Sequence, residues 1–129
     1  MTSMLGSARI VGFVPSKDLK KARPFYEEVL GLRFVSDERF ALVFDANGVT
    51  VRLVDISSVQ GFRPATFTIL GWQVPDIKNT VRGLQRRGVK FERYPGMKQD
   101  DLGIWKSPGG GRVAWFRDPD GNVLSVTEQ

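Results

Sequence analysis

The hydrophobic pattern of this chain repeats itself. Ile10-Val11-Gly12-Phe13, followed by Val14-Pro15 and Asp18-Leu19, returns as Ile69-Leu70-Gly71-Trp72, followed by Val74-Pro75 and Asp76-Ile77. Self-similarity of this kind signals two copies of one structural unit. Each copy opens with a strand-like apolar run and then places an Asp where a helix N-cap belongs. Apolar residues follow at helical spacing: Leu19, Ala22, Phe25, Tyr26, Val29 and Leu30 in the first copy, Ile77, Val81 and Leu84 in the second. Gly31 and Gly88 stand where a C-terminal glycine ends a helix. Pro24 breaks the first pattern, because proline has no N–H for the helical ladder, and a kink is predicted there.

Three short strands are expected after each helix. In the first copy they are 32–35, 40–44 and 49–54, the last two joined by Asp45-Ala46-Asn47-Gly48, in which Asn-Gly is a strong hairpin signal. In the second they are 89–93, a strand near Ile104-Trp105 with 112–117, and 123–127, with turns at Pro108-Gly109-Gly110-Gly111 and Asp118-Pro119-Asp120-Gly121-Asn122. Residues 56–65, with Ser57-Ser58, Gly61 and Pro64, read as a linker between modules of about 8–55 and 66–128 in a single domain of 1–129. The class is therefore α+β, two tandem βαβββ modules. One helix covers only one face of each sheet, so the other face is expected to curve into a cup-like mixed sheet open to a ligand. Of the aromatic residues, Phe13 and Trp72 are assigned to the helix side and Phe25-Tyr26 to the buried helix stripe. Strand alternation sends one of Trp115 and Phe116 to the concavity.

Composition narrows the chemistry. The 129 residues hold 19 Lys+Arg and 14 Asp+Glu, for a net charge of +5, with no Cys and no His. This excludes disulfides, zinc-finger clusters, Cys nucleophiles, Ser-His-Asp triads and imidazole-ligated haem or copper. No apolar stretch approaches the ~20 residues of a membrane span and no secretory leader is visible, so a cytoplasmic protein without membrane contact is expected. The densest basic run, Arg82, Arg86, Arg87, Lys90 and Arg93, lacks aromatic stacking partners and reads as a solvated helix face, with no nucleic-acid partner. The glycines of 108–111 lack the Gly-Lys-Ser/Thr ending of a phosphate loop. The 118–122 segment lacks the downstream Glu of a calcium loop and reads as a turn. Asp100-Asp101 is a solvated loop pair, and spacing alone marks no pair of carboxylates for acid/base work.

The pattern Asp-Leu-x-x-Ala-x-x-Phe-Tyr-x-x-x-Leu-Gly-Leu over Asp18 to Leu32, the repeated unit, and the ending Trp115-Phe116-Arg117-Asp118-Pro119-Asp120-Gly121-Asn122-Val123-Leu124 resemble the vicinal oxygen chelate superfamily. That superfamily includes glyoxalase I, extradiol dioxygenases, fosfomycin-resistance enzymes and bleomycin-resistance proteins. The resemblance runs from about Ala8 to Glu128 and implies paired modules forming a cup, often within a homodimer. In metal-dependent members it also implies four inward ligands, His, Gln or Glu on the first strand of each module and Glu or a similar ligand on the last. Here those positions match Ile10, Arg52, Ile69 and Ser125, which offer no competent donor set. Gln73 is the one coordinating residue near either first strand.

No metal and no cofactor are therefore expected. By strand parity the cup floor carries Ile10, Gly12, Ile69, Gly71, Gln73, Arg52, Val54, Phe116, Ser125 and Thr127. The expected ligand contacts are Arg52, Gln73, Phe116, Ser125, Ile10, Ile69 and Trp105, with Arg52 as an anchor for an anionic small organic molecule. The bland alternative pairs Arg52 with Asp101 or Glu128. Two further readings stay open: a metal-free lyase, isomerase or hydrolase with Asp101 or Glu128 as base and Arg52 stabilising charge, and a non-catalytic interaction module. Catalytic residues are unassigned.

Overall fold

The capping aspartates set both helices. In a computed structural model that describes residues 4–129, Asp18 is extended and its carboxylate accepts from the backbone N–H groups of Lys20 and Lys21. Asp76 is likewise extended and accepts from the Asn79 N–H. The chain divides into two compact units, Met1–Gly61 and Phe62–Gln129.

In the first unit, strand β1 (Val11–Ser16) leads to helix α1 (Leu19–Pro24), which passes into a π-helical turn over Phe25–Val29. Strands β2 (Arg33–Asp37), β3 (Ala41–Ala46) and β4 (Val49–Asp55) follow, giving the sheet order β1-β4-β3-β2. The expected break at Pro24 takes the form of the wide turn. With no N–H at Pro24, the helix expands, and the Leu30 N–H reaches the Phe25 carbonyl five residues back at 2.9 Å. This places Tyr26 fully inside, against Phe25 and Phe44. Ala46 pairs with Val49, so the predicted hairpin is a two-residue Asn47-Gly48 turn, with positive φ of 51° and 90°.

The second unit repeats the plan with β5 (Thr68–Gln73), α2 (Ile77–Arg86), β6 (Trp105–Lys106), β7 (Arg112–Arg117) and β8 (Val123–Glu128), in sheet order β5-β8-β7-β6. Both sheets are mixed, because β1 runs parallel to β4 and β5 parallel to β8, while the remaining pairs are antiparallel. The architecture is α+β, as expected. The strand expected over 89–93 is not formed. That segment makes a single bridge, Phe91 to Phe116, and continues as irregular chain to β6.

The helix-covered faces form the cores. In the first unit Val14, Leu42, Phe44, Val51 and Leu53 are buried beneath Ala22 and Tyr26. In the second, Ala114, Phe116, Leu124 and Val126 are buried with Ile77 and Val81 of α2. Each buried Val, Leu, Ile or Phe side chain here contributes about 1.5–3 kcal/mol of transfer free energy.

This alternation corrects the sequence assignment of β1. Val14 and Ser16 face the helix side, so Phe13 lies on the opposite face, 65% exposed, and Gly12 turns toward the core face. The cause is spacing: Phe13 stands five residues before its capping Asp18, whereas Trp72 stands four before Asp76, and an odd offset reverses the faces. A bulge at Ile69, between Thr68 and Leu70, further separates the two opening strands.

Candidate functional site

Counting from the caps aligns the two sheets row by row. On the helix-free face of the first sheet, Phe13, Arg52 and Val43 are lateral neighbours across β1, β4 and β3. The equivalent row of the second sheet is Gly71, Ser125 and Trp115. The first row is filled by side chains and closed by charge, because Arg52 pairs with Glu38 at 2.8 Å. The second has no side chain at Gly71, and a methyl group there would come within 2.8 Å of the Ser125 hydroxyl. A small, tight floor thus lies beside a large ring.

Two more aromatic side chains join that ring. Trp105 pairs laterally with Val113, on the same face as Trp115, and its ring centroid is 6.1 Å from that of Trp115. Tyr94 meets Trp115 edge-on with centroids 5.5 Å apart. All three are half-buried. Aromatic groupings of this geometry are favourable and present large, stiff apolar planes at little conformational cost.

The irregular chain before β6 holds this cluster in place. The Gln99 side chain donates to the carbonyls of Glu92 and Gly103 at 2.9 and 2.8 Å and accepts from the Tyr94 N–H at 2.8 Å. Gly103 has φ +84°, and a Cβ there would lie 3.3 Å from the Phe91 Cβ, so the loop closes tightly only with glycine. Glu92 donates its backbone N–H to the Trp115 carbonyl and pairs with Arg117 at 2.9 Å. Burial, reinforced by the Glu92 charge, pushes the Tyr94 hydroxyl above its ordinary range, so it remains a neutral donor at physiological pH.

The sequence-predicted residues divide clearly. Ser125, Gln73 and Trp105 share the helix-free face of the second sheet, Ser125 buried, Gln73 exposed and Trp105 in the cluster. Phe116 does not. It is fully buried on the α2 side against Phe91, and Trp115 holds the place expected for it. Ile10 precedes β1 and is 72% exposed, while Ile69 is the half-buried bulge residue. Arg52 pairs with Glu38 rather than with Asp101 or Glu128. Glu128 accepts from the Ile77 N–H at 2.8 Å and so helps cap α2, and Asp101 lies exposed in a loop. Tyr94 and Gln99 were not found from the sequence. The period of a strand is visible in a single chain, whereas a loop closed by one glutamine amide has no period.

A model of the Glyoxalase/Bleomycin resistance protein/Dioxygenase superfamily matches residues 8–126. The chain belongs to this superfamily. It is 29% identical to the uncharacterized protein YraH of Bacillus subtilis over 122 residues, covering 84% of this chain and 88% of YraH. Among solved structures it is similar to TnmS3, an antibiotic binding protein from Streptomyces sp. CB03234, with 28% identity, 98% of each chain covered and a TM-score of 0.69. It is also similar to a superfamily member from Sphaerobacter thermophilus, with 26% identity, 95% and 98% of the two chains covered and a TM-score of 0.72.

The metal implied by part of the superfamily does not fit these residues. Of the four matched positions, Ile10 and Ile69 carry no donor atom, Arg52 is a cation engaged with Glu38, and Ser125 is a neutral hydroxyl. Among the described residues no three His, Cys, Asp or Glu side chains converge. The 118–122 segment is likewise committed as a turn. Asp118 accepts from the Asp120 and Asn122 N–H groups and from the Asn122 amide, each at 2.9 Å.

Proposed function

We propose that this superfamily member binds a small, planar, largely apolar organic molecule without a metal ion, on the helix-free face of its second sheet. The observation that carries the reading is the Tyr94–Trp115–Trp105 cluster beside the side-chain-free position at Gly71. Three aromatic planes provide contact area beside the tight Gly71–Ser125 floor, and Gln73 with the neutral Tyr94 hydroxyl provides polar handles at the edge. The antibiotic-binding neighbour TnmS3 supports a binding role for such a chain. An anionic ligand anchored by Arg52 finds less support, since Glu38 already meets that charge. A metal-free enzyme finds less support for a similar reason: Glu128 is engaged at the start of α2 and Asp101 is exposed.

The reading places the protein in the cytoplasm as one domain over residues 1–129 that forms a homodimer. The edge strand β1, with Val11 and Phe13 exposed on one face, supports the dimer. Among the described residues no helix is long and apolar enough to cross a membrane.

Fluorescence titration with the uncharged fluorophore phenylnaphthylamine tests the site. Saturable binding is expected, weakened about two- to ten-fold by Trp115→Leu, in keeping with the roughly 0.5–1.5 kcal/mol that aromatic pairs add beyond area burial. Trp105→Leu, at the sheet margin, keeps the test valid if Trp115→Leu does not fold. Equal affinity of the folded variants and the parent would overturn the assignment.

A further inference from the structure

The opposite, α2-bearing side of the second unit holds a second feature. Between α2, the 98–104 loop and the β6–β7 pair lies a crevice of about 370 Å³ lined by Lys78, Lys98, Lys106 and Arg112, with Asp100 as its one carboxylate. A neighbouring crevice of about 320 Å³ shares Lys78 and Asp100 and adds Arg82 and Asp101. Lys78 and Arg82 are one helical turn apart on α2, so both project along the same flank.

Charge is poorly balanced here. Lys106 and Arg112 are directly opposed in the β6–β7 register, an arrangement in which like charges destabilise a strand pair. Among the described residues none of Lys78, Lys98, Lys106 and Arg112 forms an ion pair. Asp100 is turned into its own loop, its Oδ1 accepting from the Leu102 and Ile104 N–H groups at 2.9 Å each. Glu128 faces Arg112 from the other side, on β8, and spends a carboxylate oxygen on the Ile77 N–H. An anion in the crevice would relieve the repulsion between Lys106 and Arg112. Arg112 offers a planar fork for two oxygens of one group, and three lysines offer point charges around it.

We propose that this crevice binds the phosphate group of a small phosphorylated molecule. Its volume suits a small ligand rather than the length of a nucleic-acid backbone. Strand alternation sets Lys106 and Arg112 on the face opposite Trp105 and Val113, so the site is separate from the aromatic cluster.

Calorimetric titration of the full chain with inorganic pyrophosphate at low ionic strength tests the proposal. A single saturable site is expected, its affinity falling as salt is added. Lys106→Gln/Arg112→Gln is expected to weaken it at least about ten-fold, as loss of charge-assisted hydrogen bonds does. Arg9→Gln/Arg63→Gln, which removes the same net charge from exposed positions elsewhere, is expected to leave it within about two-fold. Phenylnaphthylamine binding should be unchanged in the crevice variant, which also shows that it is folded and separates this site from the aromatic one. Absence of saturable pyrophosphate binding, equal weakening by both double variants, or tighter binding of a short DNA duplex lost with the same two residues would overturn it.

Discussion

An alanine at position 71 would set its methyl carbon 2.8 Å from the Ser125 hydroxyl and 3.3 Å from the Ser125 carbonyl. The first contact involves a short side chain on a paired central strand, and the second is backbone, so neither gives way freely. Gly71→Ala is therefore expected to lower stability by about 1–3 kcal/mol, the usual cost of overpacking. Gly71→Ala/Ser125→Ala should recover part of that loss, because it removes the shorter contact and leaves the backbone one. Urea denaturation of the three variants reads both effects, and a single variant as stable as the parent would contradict the packing described for this floor. That Gly71 and Ser125 share one face was legible in the sequence by alternation; their lateral pairing was not. The ring beside them was not, because alternation alone does not say which of two adjacent aromatic residues, Trp115 or Phe116, faces the helix. The Phe91 contact and the cover of α2 decide that.

Elements follow from their punctuation. Asp76 accepts from both the Asn79 backbone N–H and the Asn79 amide, at 3.1 and 2.8 Å, and α2 begins there. Asp76→Ala is expected to cost about 1 kcal/mol, with the midpoint of urea unfolding lowered and its slope unchanged. A midpoint equal to that of the parent would show that Glu128, which holds the Ile77 N–H, suffices as the cap. Both caps, the Pro24 break, the Asn47-Gly48 hairpin and seven of the eight strands have local signals, and the sequence shows them. The two-residue β6 has one as well, in Trp105, but a further strand was expected over 89–93. That segment has strand-like residues, yet Gln99 bonds to the Glu92 carbonyl and the Tyr94 N–H and draws the chain into a loop. Tertiary demand overrides propensity there. The reversed face of β1 was legible in principle, because the offset from Phe13 to Asp18 exceeds that from Trp72 to Asp76 by one residue.

At the scale of the whole molecule, duplication explains both what is shared and what differs. The two units repeat one topology, but the row that is Phe13–Arg52–Val43 in one is Gly71–Ser125–Trp115 in the other. One copy is charge-paired through Arg52, and the other sets an aromatic ring beside a tight glycine–serine floor. The superfamily was legible from the duplicated pattern and the two flanking motifs. The location of the proposed site was not, because it depends on which copy gathers aromatic rings on its helix-free face. For the homodimer, size-exclusion chromatography with light scattering should give twice the chain mass, and Phe13→Glu should shift the protein toward the monomer. A monomer at all accessible concentrations would contradict it.

The central claim is that a ligand is held by aromatic planes rather than by a metal. Titration of the chelator-treated protein with phenylnaphthylamine, repeated after addition of manganese, zinc or nickel, tests it most directly. The account predicts superimposable saturable curves, with no stoichiometric metal retained on elemental analysis. Binding that appears only with a divalent ion, together with one tightly held ion per chain, would contradict it.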